Sequence, residues 1–139
     1  MPAVTLSRNA AIVSWLGQLT AAAILGQTLF FKFTGAPESV YIFSTLGAEP
    51  GGRYATATFE LVAVLLLLVP RTAAMGAVLA MGLMAGALGS HLAVLGIEVQ
   101  GDGGLLFGLA NTTFIAAAVV AWLRRGAIPA VGGWLATLG

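Results

Sequence analysis

The sequence predicts an all-α integral membrane protein: a four-helix bundle with both termini cytoplasmic and a short interfacial helix in the first outer loop. Three observations carry this. Of 139 residues, 59% are hydrophobic and 8% charged, against roughly 25% charge in a soluble domain. Mean hydropathy is +0.99. Four apolar windows approach the about 20 residues a membrane helix needs, and they are unbroken runs rich in Ala and Leu, without the alternation of strands. The same figures exclude a water-soluble enzyme and a disordered chain. Six basic residues against five acidic ones, with no basic run beyond Arg124-Arg125, exclude a nucleic-acid binder.

The chain reads as one domain over 1–139. The first span covers about 10–33. Arg8, the apolar stretch and Ala21-Ala22-Ala23 resemble a cleavable leader, but hydrophobicity continues to Phe33, which favours a span. In the following loop, Pro37 is placed to open a short helix as its first residue. Val40, Phe43 and Leu46 would lay an apolar stripe on the membrane surface. The second span covers about 54–69 and is short, near 24 Å at about 1.5 Å per residue, so it is expected to extend back toward Gly51. Pro70-Arg71 makes a tight turn. The third and fourth spans cover about 72–95 and 104–122. The tail contains Pro129, Gly132, Gly133 and Trp134, and is expected at the inner interface. Arg8, Arg71, Arg124 and Arg125 fall on one side with both termini, and Lys32 and Arg53 on the other, which places the termini inside. Trp15, Trp122, Trp134 and Tyr41 read as interface anchors. Gly82 and Gly86, Gly104 and Gly108, and Ala22 and Gly26 have the small-xxx-small spacing that lets helices approach closely.

Absent residue types narrow the chemistry. Without cysteine there is no disulfide, thiol relay or Fe–S cluster, and a single histidine, His91, builds neither a bis-His haem nor a His-rich zinc site. No metal site is expected. Met81 and Met84 read as core.

Charged groups inside a membrane are costly and face the bundle interior. Glu60, Gln27, Asn111 and His91 lie within the spans, with Lys32 at the end of the first. Counted from the inner helix ends, their heights are about 14 Å for Glu60, 20 Å for Asn111, 25 Å for Gln27, 28 Å for His91 and 33 Å for Lys32. Arg53, Glu98 and Asp102 stand at the mouth of this ladder, and the inner half is read as having no comparable set. One reading is an outward-opening polar pocket with apolar walls, suited to proton exchange or to a polar head group such as a quinone carbonyl. The other is a buried Glu–Lys or Glu–Arg pair with polar residues that glue helices together.

A succession of short motifs carries a resemblance. Phe31-Lys32-Phe33 closes the first span. Gly52-Arg53-Tyr54 opens the second, which contains Glu60-Leu61. Pro70-Arg71, Gly86-Ala87, Ser90-His91-Leu92, Gly96-Ile97, Gly101-Asp102-Gly103-Gly104 and Leu106-Phe107 follow. Over roughly Ala10 to Arg125 the chain resembles the DoxX family of small four-helix proteins of the bacterial inner membrane. The resemblance implies a membrane subunit associated with a redox process, with recurrent polar positions at Lys32, Arg53, Glu60, His91 and Asp102. The family's namesake is similar to a subunit of a thiosulfate:quinone oxidoreductase. The expected function is therefore a membrane subunit or small-ligand pocket protein, with quinone as the candidate ligand. Redox proteins and further copies of the chain are candidate partners, beside the lipid bilayer. Glu60 and His91 would contact the ligand, with Asn111 and Gln27 nearby. Lys32 and Arg53 would steer a polarised group, and Asp102 would orient His91 or Arg53. The rivals are a non-catalytic scaffold and, more weakly, a small oligomeric transporter, against which the absence of an inverted repeat counts.

Overall fold

The computed structural model describes residues 4–129 and 131–138, and no strand occurs among them. Helix α1 spans Arg8–Thr34. Ser7 caps it, its Oγ accepting the Ala10 N–H at 3.2 Å. It stops at Gly35, whose φ of +68° is the left-handed turn glycine makes without strain. A short helix α2, Pro37–Thr45, follows with Pro37 at its start. Helix α3 covers Gly51–Leu67 and does begin at Gly51. The Thr72 hydroxyl donates to the Leu66 carbonyl at 2.8 Å, tying the Pro70-Arg71 turn. Helix α4 covers Ala73–Ser90 and loosens into a π-helical turn, His91–Leu95. Helix α5 covers Leu105–Leu123. A 3-10 turn, Arg125–Ala127, and helix α6, Gly132–Leu135, close the chain.

Helices α1, α4 with its π turn, and α5 are long and apolar enough to cross a membrane. Helix α3 has only 17 residues and carries Arg53 and Glu60. The four long helices form a ring in which α1 and α4 each pack on α3 and α5. The core between them is mostly alanine: Ala21, Ala63, Ala77, Ala80 and Ala117 surround Leu25, Leu67 and Val120. Small side chains let helix backbones approach, which compensates for the weak drive between apolar surfaces in lipid. The outward faces carry Leu16, Phe30, Leu92 and Ile115, each 60% exposed or more. Such a continuous apolar exterior suits hydrocarbon rather than water. These features describe a membrane protein. Tyr41 in the middle of α2, Trp122 near the end of α5 and Trp134 in α6 are exposed.

Two expectations change here. The helix α2 stripe turns to protein rather than to the membrane surface: Phe43 is buried and packs near Gly52, Val40 and Leu46 are half-buried, and Tyr41 takes the exposed face. The spaced glycines are not the points of closest approach either. A Cβ on Gly26, Gly82, Gly86 or Gly108 would meet nothing within 4 Å. Close approach occurs instead at Gly17, against Val120 and Ala116, and at Gly76, where a Cβ would sit 2.7 Å from the Leu67 backbone nitrogen. Gly76→Ala is therefore expected to force α3 and α4 apart and cost about 1–3 kcal/mol. Unfolding in detergent checks this, and an unchanged midpoint would contradict it.

Candidate functional site

A cavity of about 810 Å³ lies among α1, α3, α4 and α5 at the end of the molecule away from the chain termini, beneath α2. Its walls are largely apolar, from Ile24, Phe31, Leu83, Leu106 and Leu109 among others. Gly82 and Gly86 line it, so the small residues of α4 create space rather than a helix contact.

Of the predicted site residues, Glu60, Lys32, His91, Asp102 and Gln27 line this cavity. Glu60 is 1% exposed. Its Oε1 accepts the Lys32 ammonium at 2.9 Å, and its Oε2 accepts the Thr28 hydroxyl at 3.3 Å. The pairing left open by the sequence is thus Glu60 with Lys32, not with Arg53. Thr28 and Lys32 are one helical turn apart on α1, so both face the same α3 position. Thr28 was missed in the sequence, although its i, i+4 spacing from Lys32 was the available signal. Gln27 is exposed and has no side-chain bond among the described residues.

His91 stands where α4 becomes the π turn. Its Nδ1 lies 2.9 Å from the Gly96 carbonyl, and its ring meets Phe107 edge-on at 5.6 Å. A carbonyl only accepts, so Nδ1 carries the proton of that bond and a neutral ring offers Nε2 as an acceptor. No buried side-chain nitrogen or oxygen is without a partner among the described residues. Nε2 therefore remains accessible to a cavity occupant.

Three predicted roles are corrected. Arg53 does not line the cavity. It binds Glu49 through Nε and Nη2 at 2.8–3.0 Å, donates to the Lys32 carbonyl and stacks on Tyr54 at 4.5 Å. It fastens the start of α3 to the end of α1, with each of its three nitrogens engaged. Asn111 also lies off the cavity, its amide donating to the Phe107 carbonyl of its own helix at 2.8 Å. Asp102 orients neither His91 nor Arg53. Its carboxylate accepts the backbone N–H groups of Val99, Gly104 and Leu106 at 2.8–3.1 Å. The loop can wrap one side chain because Gly101, Gly103 and Gly104 adopt φ values from +66° to +85°.

Burial works against the Asp102 charge, but the three backbone donors prevail and hold its carboxyl below the usual carboxylate range. A lowered folded-state pKa stabilises above the unfolded value of about 3.9 and is lost as pH falls through the folded value. Protection of the Val99, Gly104 and Leu106 amides, taken relative to the intrinsic exchange rate at each pH, should therefore be high at neutral pH and fall under acid. Asp102→Ala should accelerate their exchange about tenfold at neutral pH. Exchange unchanged by the substitution would contradict this.

The other end of the molecule holds a buried polar network where none was expected. Ser14, Gln18 and Arg124 are at most 5% exposed. Arg124 Nε donates to Ser14 Oγ at 2.8 Å, Ser14 donates to Gln18 Oε1 at 2.7 Å, and Gln18 Nε2 donates to the Leu67 carbonyl at 2.7 Å. Arg124 Nη1 points at the Pro70 carbonyl at 3.4 Å. The i, i+4 pair Ser14 and Gln18 was the visible signal. Comparisons with family models, curated proteins and solved structures return no match to this chain.

Proposed function

We propose that this chain is a four-span, DoxX-like protein of the bacterial inner membrane with both termini cytoplasmic, and that its cavity holds a flat, mainly apolar ligand with a carbonyl or hydroxyl head, a quinone in the first instance. Helix α3 then forms the fourth crossing, its charged residues made tolerable by their pairing with Lys32 and Glu49. The cavity beneath α2 carries the reading: it combines apolar walls with the Lys32 ammonium, which has donors beyond the one on Glu60, and with the free Nε2 of His91. The ammonium would donate to a ligand carbonyl and Nε2 would accept a hydroxyl. An apolar pocket with a few convergent polar groups is the usual form of a small-molecule site. In a redox complex the chain would act as the membrane subunit that retains such a ligand beside partner proteins.

A second reading has its own observation. The Lys32–Glu60 pair closes on itself, as it would in a scaffold whose polar residues only hold helices together. Native mass spectrometry of gently solubilised protein, with extraction of co-purifying lipid, separates the two. A stoichiometric quinone or other isoprenoid, weakened by Glu60→Gln and His91→Ala in folded protein, supports the pocket. A protein partner with no small ligand, or retention indifferent to both substitutions, overturns it.

A further inference from the structure

Arg124 is 5% exposed and is held by neutral acceptors, Ser14 Oγ and the Pro70 carbonyl. A guanidinium has five N–H donors, and its Nη2 group has no acceptor among the described residues. Because no fully buried side-chain nitrogen there is unpartnered, Nη2 occupies the sliver of Arg124 that stays open. No side-chain carboxylate pairs with this charge among the described residues. All five acidic side chains, Glu38, Glu49, Glu60, Glu98 and Asp102, lie in the half that holds the cavity. Arg8, Arg71, Arg124 and Arg125 share the other end. Arg125 is engaged with Trp122 and the Leu135 carbonyl, whereas Arg8 and Arg71 are exposed. The carbonyl ends of α3 and α5 supply only part of a charge. A desolvated cation without a counter-ion is costly.

We propose that Arg124 binds the phosphate of an anionic phospholipid. Its Nη2 group, the one nitrogen without an acceptor among the described residues, carries two N–H donors for phosphate oxygens. Trp122 and Trp134, 52% and 67% exposed, mark this end as lying at headgroup depth. Exposed Arg8 and Arg71 add attraction to an anionic surface. The lipid completes the Ser14–Gln18–Arg124 network from outside and fixes the ends of α1, α3 and α5 together. The site is independent of what the cavity holds.

The test reconstitutes the full chain in phosphatidylcholine bilayers doped with phosphatidylglycerol and counts the lipids retained on release into the mass spectrometer. Wild-type protein should retain phosphatidylglycerol about fivefold over phosphatidylcholine, and Arg124→Gln should lose most of that preference. Arg71→Gln should lose less. If Arg124→Gln does not fold, Arg124→Lys, which keeps the charge without the Nη2 group, should at least halve the preference. Equal retention of the two lipids by wild type overturns the proposal, as does a preference unchanged in the Arg124 variant. Displacement of the lipid by millimolar inorganic phosphate would assign the site to a free anion and overturn the lipid assignment.

Discussion

Lys32→Met is expected to destabilise the protein by about 3 kcal/mol, and adding Glu60→Leu to restore most of that loss. The reason is the unequal burial of the pair. The Glu60 side chain is 2% exposed and the Lys32 side chain 16%. Removing the lysine strands a carboxylate whose one remaining side-chain donor is the Thr28 hydroxyl at 3.3 Å. Removing the glutamate charge leaves an ammonium on a flexible stem near the open end of the cavity, where water can reach it. Glu60→Gln should thus cost less than Lys32→Met, by about 1–2 kcal/mol. Replacing both by apolar residues removes the desolvation penalty together with the attraction. Reversible unfolding of wild type, Lys32→Met, Glu60→Leu and the double variant in one detergent measures this cycle, with Glu60→Gln alongside. A Lys32→Met cost under about 1 kcal/mol, or a double variant as unstable as the sum of its parts, would show that the pair is not a coupled buried unit. The cycle bears on function as well. A stable double variant that no longer retains a ligand would separate the pair's chemistry from its packing.

The parts of this molecule legible in the sequence were those decided by long apolar runs and by single expensive residues. The ends of α1, α4 with its π turn, and α5 fall within about two residues of their predicted positions, because hydrophobicity over some 20 residues is a strong signal. Glu60 and Lys32 were legible because a charge in an apolar helix must find a partner. What failed was local. Arg53 looked like a steering cation, but Glu49, one turn before it, takes its charge. Asp102 looked like a partner for His91, but the left-handed glycines around it turn three backbone N–H groups onto its oxygens. Arg124 counted only toward the side on which the termini lie, because charge counting along loops carries no information on burial. Its place is set by Ser14, 110 positions away in sequence. Glycine spacing misled for the same reason. A small-xxx-small pattern says that a helix face is flat, and tertiary structure decides whether another helix or a void lies against it.

That void gives the second large effect. Gly86→Leu is expected to leave stability unchanged or slightly raised, and to lower ligand retention about tenfold to hundredfold. A Cβ at Gly86 meets nothing within 4 Å, and the residue lines the cavity wall. Replacing a mid-helix glycine removes about 0.5–1 kcal/mol of backbone entropy cost. The leucine then fills space the empty protein does not use. A ligand in that space would have to clash with it, and overpacking costs about 1–3 kcal/mol, which is about one to two decades in affinity. Gly76→Ala is the opposite case, with a Cβ 2.7 Å from the Leu67 nitrogen and no part in the wall of this cavity. It should lower stability and leave retention per folded molecule intact. The two glycines, ten positions apart on α4, thus separate occupancy of the cavity from integrity of the helices. If Gly86→Leu unfolds the protein, the space beside it is not there. If the variant is stable and still retains the ligand at wild-type level, the ligand does not sit against α4, and the cavity is not its site.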